Sequence, residues 1–293
     1  MSADAQVVCA VATRDRLGET PLWCERTRKL WWIDIEEPKL QSFDPATGAH
    51  EVFPMDCTYL GSLALTESGR LLIALDLTLH LFDPETGALE TFCEVERDID
   101  NRLNDGRVDA AGRFWVGTMD NELHRGNGAL YRIDPDGTAT KMFGDVIVTN
   151  GIAIAPDNRT LYFTDTRRFT TFVFDVDPVA GTLANRRVFA DYTPTGDRPD
   201  GATMDADGRL WQAFFAGRRV VRYGDGAAIA AEFPVPVSHP TCICFGGPDF
   251  TTLYITTGRK FLSDEQLAAE PLAGSVLAIE GVGKGAPENR FAV

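Results

Sequence analysis

The sequence predicts an all-β chain folded as a six-bladed β-propeller, with four-stranded antiparallel blades around a central axis and a single domain spanning residues 1–293. Three observations carry that expectation. Short apolar runs separated by Gly, Asp and Pro recur from end to end. No amphipathic helical segment longer than about three turns competes with them. Six segments share one grammar: a short strand, a polar turn, an aromatic-rich strand, then a strand ending in Asp-Pro or Gly.

The first repeat runs from TPLWC through KLWWIDI to LQSFDPATG, and the second from GSLAL through SGRLLIAL to LHLFDPETG. GRVDAAGRFWVGTM and ALYRIDPDG make the third, and GIAIAPDNRTLYFTDT and TFVFDVDPVAG the fourth. The fifth holds GATMDADGRLWQAFF and RVVRYGDG, and the sixth TCICFGGPDFTTLYITT and SVLAIE. Starts at Thr20, Gly61, Gly106, Gly151, Gly201 and Thr241 lie 41, 45, 45, 50 and 40 residues apart, the spacing of propeller blades. A four-stranded blade cannot bury both faces alone, so the six must share a continuous core. QVVCAVA, ahead of the first repeat, is expected to supply the outer strand of the last blade. SDEQLAAEPLAG departs from the strand pattern and is expected to form a short helix capped by Ser263 or Asp264 in a loop of blade six. The five tryptophans and Met119 read as blade core.

Asp and Glu total 43 against 28 Lys and Arg, a formal charge of -15 that repels phosphate backbones and argues against nucleic-acid binding. The acidity fits either solubility or cation-binding carboxylates. The apolar stretch Val7–Ala12 is short and follows no basic segment, so neither a signal peptide nor a membrane anchor is expected, and the location is expected to be cytoplasmic. Six scattered cysteines read as reduced, mostly buried thiols, with Cys242 and Cys244 on one side of a strand. A closed propeller has few free edges, which suits a monomer or weak homo-oligomer.

The residues just before the six repeat starts are Glu19, Leu60, Asp105, Asn150, Asp200 and Pro240, and four of them carry side-chain oxygens. Equivalent positions of a propeller converge at one end of the axis, and oxygens converging from separate blades are what a divalent cation requires. Asn-Gly and Asp-Gly are also the commonest hairpin turns. Here the hairpins are already assigned to SGR, AGR, PDN and DGR, and Glu19 is no part of such a dipeptide. GxSxG, HExxH, GxGxxG and GxxxxGKS are all missing, which disfavours a serine nucleophile, a histidine-bound zinc and a phosphate loop.

LGETPLW, WWIDIEEPKLQSFDPATG, NRLNDGRVDAAGRFWVGTM, VTNGIAIAPDNRTLYFTDT, PDGATMDADGRLWQA and CFGGPDFTTLYITTGRKFLSDE, in that order, resemble the regucalcin, senescence marker protein and gluconolactonase family over essentially the whole chain. The resemblance implies a hydrolase opening sugar lactones with one divalent ion, Ca²⁺, Zn²⁺, Mg²⁺, Mn²⁺ or Fe²⁺, on Glu19, Asn150 and Asp200. It places Arg102, Asn104 and Glu122 on the substrate side and Asp105 behind the ligands. Asp200, ligating or adjacent, is the expected general base. The segment from Asn121 to Asn127 departs in length from the family's longer versions, which bears on Glu122. Two rival readings remain: a calcium-dependent phosphotriesterase of the organophosphate-fluoridase type, and a non-enzymatic calcium-binding regulator.

Overall fold

The computed structural model describes residues 6–293. Six four-stranded antiparallel sheets succeed one another, giving the six-bladed β-propeller that the repeats predict. Blade 1 is β2 to β5 (Gly18–Cys24, Lys29–Asp34, Lys39–Asp44, Ala49–Pro54), and blade 2 is β6 to β9 (Leu60–Leu65, Leu71–Leu75, Thr78–Phe82, Leu89–Glu94). Blade 3 is β10 to β13 (Asn101–Val108, Phe114–Asp120, Gly128–Ile133, Ala139–Val146), and blade 4 is β14 to β17 (Thr149–Ile154, Thr160–Asp165, Thr170–Asp177, Thr182–Asp191). Blade 5 is β18 to β21 (Arg198–Met204, Leu210–Phe215, Arg219–Tyr223, Ile229–Pro234). Blade 6 takes β22 to β24 (Pro240–Gly246, Thr252–Thr257, Val276–Glu280) and, as its outer strand, the N-terminal β1 (Val7–Val11). β1 pairs with β24 from Val7 opposite Ile279 to Val11 opposite Val276, as the position of QVVCAVA predicts.

Along each blade burial falls from the first strand outward. β2, β6, β10 and β22 are buried at every residue, whereas β5 and β9 lie mostly in solvent. A strand covered on both faces has no polar side to show, which is why CICF reads as an unbroken apolar run. Blades 1, 5 and 6 make one compact unit, and blades 2, 3 and 4 with the C-terminal Glu288–Val293 make another. In the first, Trp211, Phe233, Ile243, Phe245 and Ile255 fill the space between blades 5 and 6, while Trp23, Trp32, Cys244 and Tyr254 fill that between blades 6 and 1. In the second, Val116, Tyr131, Leu72 and the fully buried Phe291 pack between blades 2 and 3, and Trp115, Leu161 and Phe163 between blades 3 and 4. Such close approach forbids a side chain at Gly117, where a Cβ would sit 1.9 Å from Cγ2 of Thr149.

The repeated word DAAGRFW/DADGRLW is a self-contained hairpin lock. Trp115 Nε1 donates to Asp109 Oδ2 at 2.9 Å and Trp211 Nε1 to Asp205 Oδ2 at 2.8 Å, satisfying an indole buried in the core. The same carboxylates accept the backbone N–H of Arg113 and Arg209 across turns whose glycines, Gly112 and Gly208, have φ of +77° and +76°. α1 (Asp264–Ala269) lies between β23 and β24 and starts in a capping box: Ser263 Oγ accepts from Gln266 N, and Gln266 Oε1 from Ser263 N.

Two cysteine expectations need correction. Cys24, Cys242 and Cys244 are buried, but Cys9 is exposed on the outermost strand and Cys57 and Cys93 are half-buried. Cys242 and Cys244 do not share a side. A bulge between Pro240 and Ile243 breaks the two-residue alternation. Cys242 therefore packs on Gly201 of blade 5, while Cys244 faces Trp23 of blade 1.

Candidate active site

Each of the six first strands carries one irregularity of register. The breaks fall between Glu19 and Leu22, Leu60 and Ser62, Leu103 and Gly106, Asn150 and Ala153, Pro199 and Ala202, and Pro240 and Ile243. A bulge re-aims side chains and frees them from the ladder, and bulges gather beside active sites. The sequence-selected oxygens lie at these breaks: Glu19 and Asn150 immediately before theirs, Asn104, Asp105 and Asp200 inside. The Asn-Gly and Asp-Gly pairs are thus bulged strand residues rather than hairpin turns. In the ladder, Asn104 rather than Asp105 occupies the place that Asp200 holds in blade 5.

In blades 3 and 4 Asn104 and Asn150 form one buried network. Asn104 Nδ2 donates to Thr149 O at 2.8 Å and to Asn150 Oδ1 at 3.1 Å, and Asn150 Nδ2 donates to Thr166 Oγ1 at 2.9 Å. Both amides are thereby oriented, and Asn104 Oδ1 is left buried with no hydrogen-bond partner among the described residues. Arg102 is 4% exposed; its guanidinium lies 4.7 Å from the Tyr59 ring centroid and donates from Nη1 to Asn121 Oδ1 at 3.1 Å. Glu122, by contrast, is exposed on the turn after β11, where its carbonyl meets His124 Nδ1. The structure therefore brings Asn104 and Asn150 into contact and sets Asp105 against the Asn150 strand, while Arg102 is held by Tyr59 and by Asn121, which reaches it instead of Glu122.

In blades 1, 5 and 6, Glu19 and Asp200 are each 6% exposed, and their strands β2 and β18 flank β22. Thr241 Oγ1 donates to Gly18 O at 2.5 Å on one side of β22, and Cys242 packs on Gly201 on the other. Glu19 Oε2 accepts the N–H of Thr20 at 2.8 Å, and Thr20 sits at φ +46°. A β-branched residue in the left-handed region is strained, and such strain concentrates at functional positions.

Asp105 turns away from this register, with Oδ2 accepting Ile152 N at 2.7 Å. Burial pushes its pKa up to about 6, against the opposing pull of Arg107 and the Ile152 and Gly106 N–H groups. Its contribution to stability is full below the unfolded value near 4 and is lost as pH rises through about 6. Asp105→Asn keeps an acceptor for Ile152 without the charge. In metal-free buffer at pH 8 it is expected to melt several degrees above the wild type, a gain of about 1–3 kcal/mol, and the gap is expected to close by about pH 4.5. Calorimetric melts at both pH values check this; an equal gap at both refutes it.

Residues 17–259 match the family model described as SMP-30/Gluconolactonase/LRE-like region. The chain belongs to this family. It is 38% identical over 287 residues to the 6-deoxy-6-sulfogluconolactonase of Pseudomonas putida, covering 97% of this chain and 98% of that one. It is also 38% identical over 292 residues to the L-arabinolactonase of Azospirillum brasilense, covering 98% and 96%. The crystal structure of a calcium-binding protein, regucalcin, from Agrobacterium tumefaciens superposes with a TM-score of 0.94 at 32% identity, over 99% of this chain and 98% of that one.

The family implies a divalent cation, and the donors here fit one. Among the described residues no three His, Cys, Asp or Glu side chains come together, so those side chains alone make no three-ligand site. Asn150 Oδ1, held in place from both ends of its amide, and the unmet Asn104 Oδ1 are amide oxygens that can serve beside carboxylates. Oxygen-only sets of this kind suit hard or borderline cations. Among the described residues no helix is long and apolar enough to cross a membrane. Tyr59, Asn121 and Thr166 escaped the sequence reading because none stands at a repeat start; Thr166 holds Asn150, and Tyr59 and Asn121 hold Arg102.

Proposed function

We propose that the protein is a sugar lactonase, hydrolysing aldono-1,4- or aldono-1,5-lactones to aldonic acids with one divalent cation on Glu19, Asn150 and Asp200. The observation that carries this reading is the buried Asn104–Asn150 amide pair on two bulged strands, with one oxygen oriented and the other unmet. Two lactonase relatives matched over nearly the whole chain support the reaction class.

A bound cation supplies Lewis acidity at the lactone carbonyl and lowers the pKa of nearby water. Asp200 takes the proton of the attacking water as the new C–O bond forms. When the ring C–O bond breaks, the same carboxyl returns a proton to the leaving ring oxygen, so one water is consumed and the acid is released. Arg102, flattened against Tyr59 and fixed by Asn121, donates to ring oxygens, and Asn104 aligns the lactone for attack. Asp105 supports the Asn150 strand through the N–H of Ile152.

The test is proton release from pentono- and hexonolactones by metal-stripped protein, with each divalent ion added back. Turnover is expected to fall to the uncatalysed background on stripping and to return with at least one ion on at least one lactone. Silence across the panel with a cation still bound overturns the reading in favour of a calcium-binding regulator.

A further inference from the structure

β22, the first strand of blade 6, brings no acid or amide to its bulge, yet it lies between the strands of Glu19 and Asp200. The residue that leads into it is His239. Its imidazole is 6% exposed and stacks on Phe215, with centroids 4.1 Å apart and planes 12° apart. Phe215 pairs with Arg198 at the start of β18, two residues before Asp200. On the other side the imidazole is hydrogen-bonded to the Lys260 backbone, in a segment whose Arg259 and Lys260 N–H groups both donate to Arg16 O at 2.9 Å, next to Leu17 and Gly18. The ring is thus held between the chain entering Asp200 and the chain entering Glu19.

One atom of this ring is unaccounted for. Nδ1 is buried and makes no hydrogen bond among the described residues. Packing alone does not require a nitrogen there, since a phenyl ring stacks on Phe215 equally well, and a buried unmet acceptor is destabilising. Burial also lowers the pKa of His239, so the ring is neutral near pH 7, and with the proton on the nitrogen facing the Lys260 carbonyl, Nδ1 presents a lone pair.

We infer that His239 is a specificity-determining residue, its Nδ1 accepting a hydrogen bond from one hydroxyl group of the bound sugar lactone. This rests on the lactonase reading and deepens it. Arg102 offers donors to carbonyl and ring oxygens; His239 offers an acceptor, which a hydroxyl group of a polyhydroxylated substrate satisfies and a simple ester does not. Pro240 stiffens the backbone directly after it and keeps His239 extended.

The test is a comparison of kcat/KM for a good lactone and its monodeoxy analogues, with wild type, His239→Leu and His239→Asn. Wild type is expected to lose roughly 5- to 100-fold on the one analogue that lacks the recognised hydroxyl. His239→Leu is expected to treat that analogue and the parent alike while keeping the other deoxy penalties, and His239→Asn, with a shorter acceptor, to keep part of the discrimination. Because each ratio is taken within one variant, it does not depend on the fraction folded. A deoxy profile unchanged in His239→Leu, or a uniform loss on every lactone without a change of profile, overturns the inference alone. Absence of wild-type turnover on any lactone overturns it together with the lactonase reading.

Discussion

Asp200→Asn is expected to lower kcat on the best lactone by about 10²–10⁴-fold at saturating cation while the melting temperature stays near that of the wild type. The substitution is isosteric and keeps an oxygen for a cation, so what it removes is the ability to take a proton from water. Asp200 sits in the bulge of β18, with its backbone carbonyl accepting from Gln212 Nε2 at 3.2 Å, a contact that the amide leaves intact. Glu19→Gln supplies the contrast. It leaves the proposed base in place and removes one negative charge from the ligand set, so its loss is expected in cation affinity, read by titration calorimetry, and to be largely recovered at high cation concentration. Full turnover in Asp200→Asn together with full cation affinity in Glu19→Gln would remove both roles. A turnover loss in Asp200→Asn that extra cation restores would make Asp200 a ligand only.

The blade count, the closing role of QVVCAVA and the capped helix after Ser263 were legible because each is written in local sequence: period, alternation and a capping box. The site was legible only in part. Glu19, Asn150 and Asp200 stand before a repeat start, and a positional comparison finds them without knowledge of side-chain direction. What that comparison cannot resolve is where a bulge falls within two residues, and this decides which neighbour looks outward. Asn104 and Asp105 are adjacent in sequence, yet one holds the Asn150 amide and the other the Ile152 N–H. The same effect separates Cys242 from Cys244. Residues that act by contact between segments, such as Tyr59 beneath Arg102 or Phe215 beneath His239, leave no periodic trace, and only the fold shows them.

The chain terminus that completes blade 6 gives the second large expectation: deletion of residues 1–12 is expected to lower the melting temperature by roughly 10 °C or more and to promote association. β1 supplies a full ladder to β24, and Val11, 7% exposed, packs with Trp23, Trp32 and Tyr254 between blades 6 and 1. Each ladder hydrogen bond contributes about 0.5–1.5 kcal/mol net and a buried valine about 1.5–3 kcal/mol. Losing β1 also uncovers β24, whose Val276 and Leu277 are fully buried, as an apolar edge able to pair with another chain. The effect reaches the site, because β22, with its bulge between the strands of Glu19 and Asp200, belongs to the same sheet. Cation affinity of the truncated protein is therefore expected to weaken along with its stability, measured by calorimetry and by sedimentation for association. A truncated protein that melts at the wild-type temperature as a monomer would show that the other three strands of blade 6 hold the closure without β1.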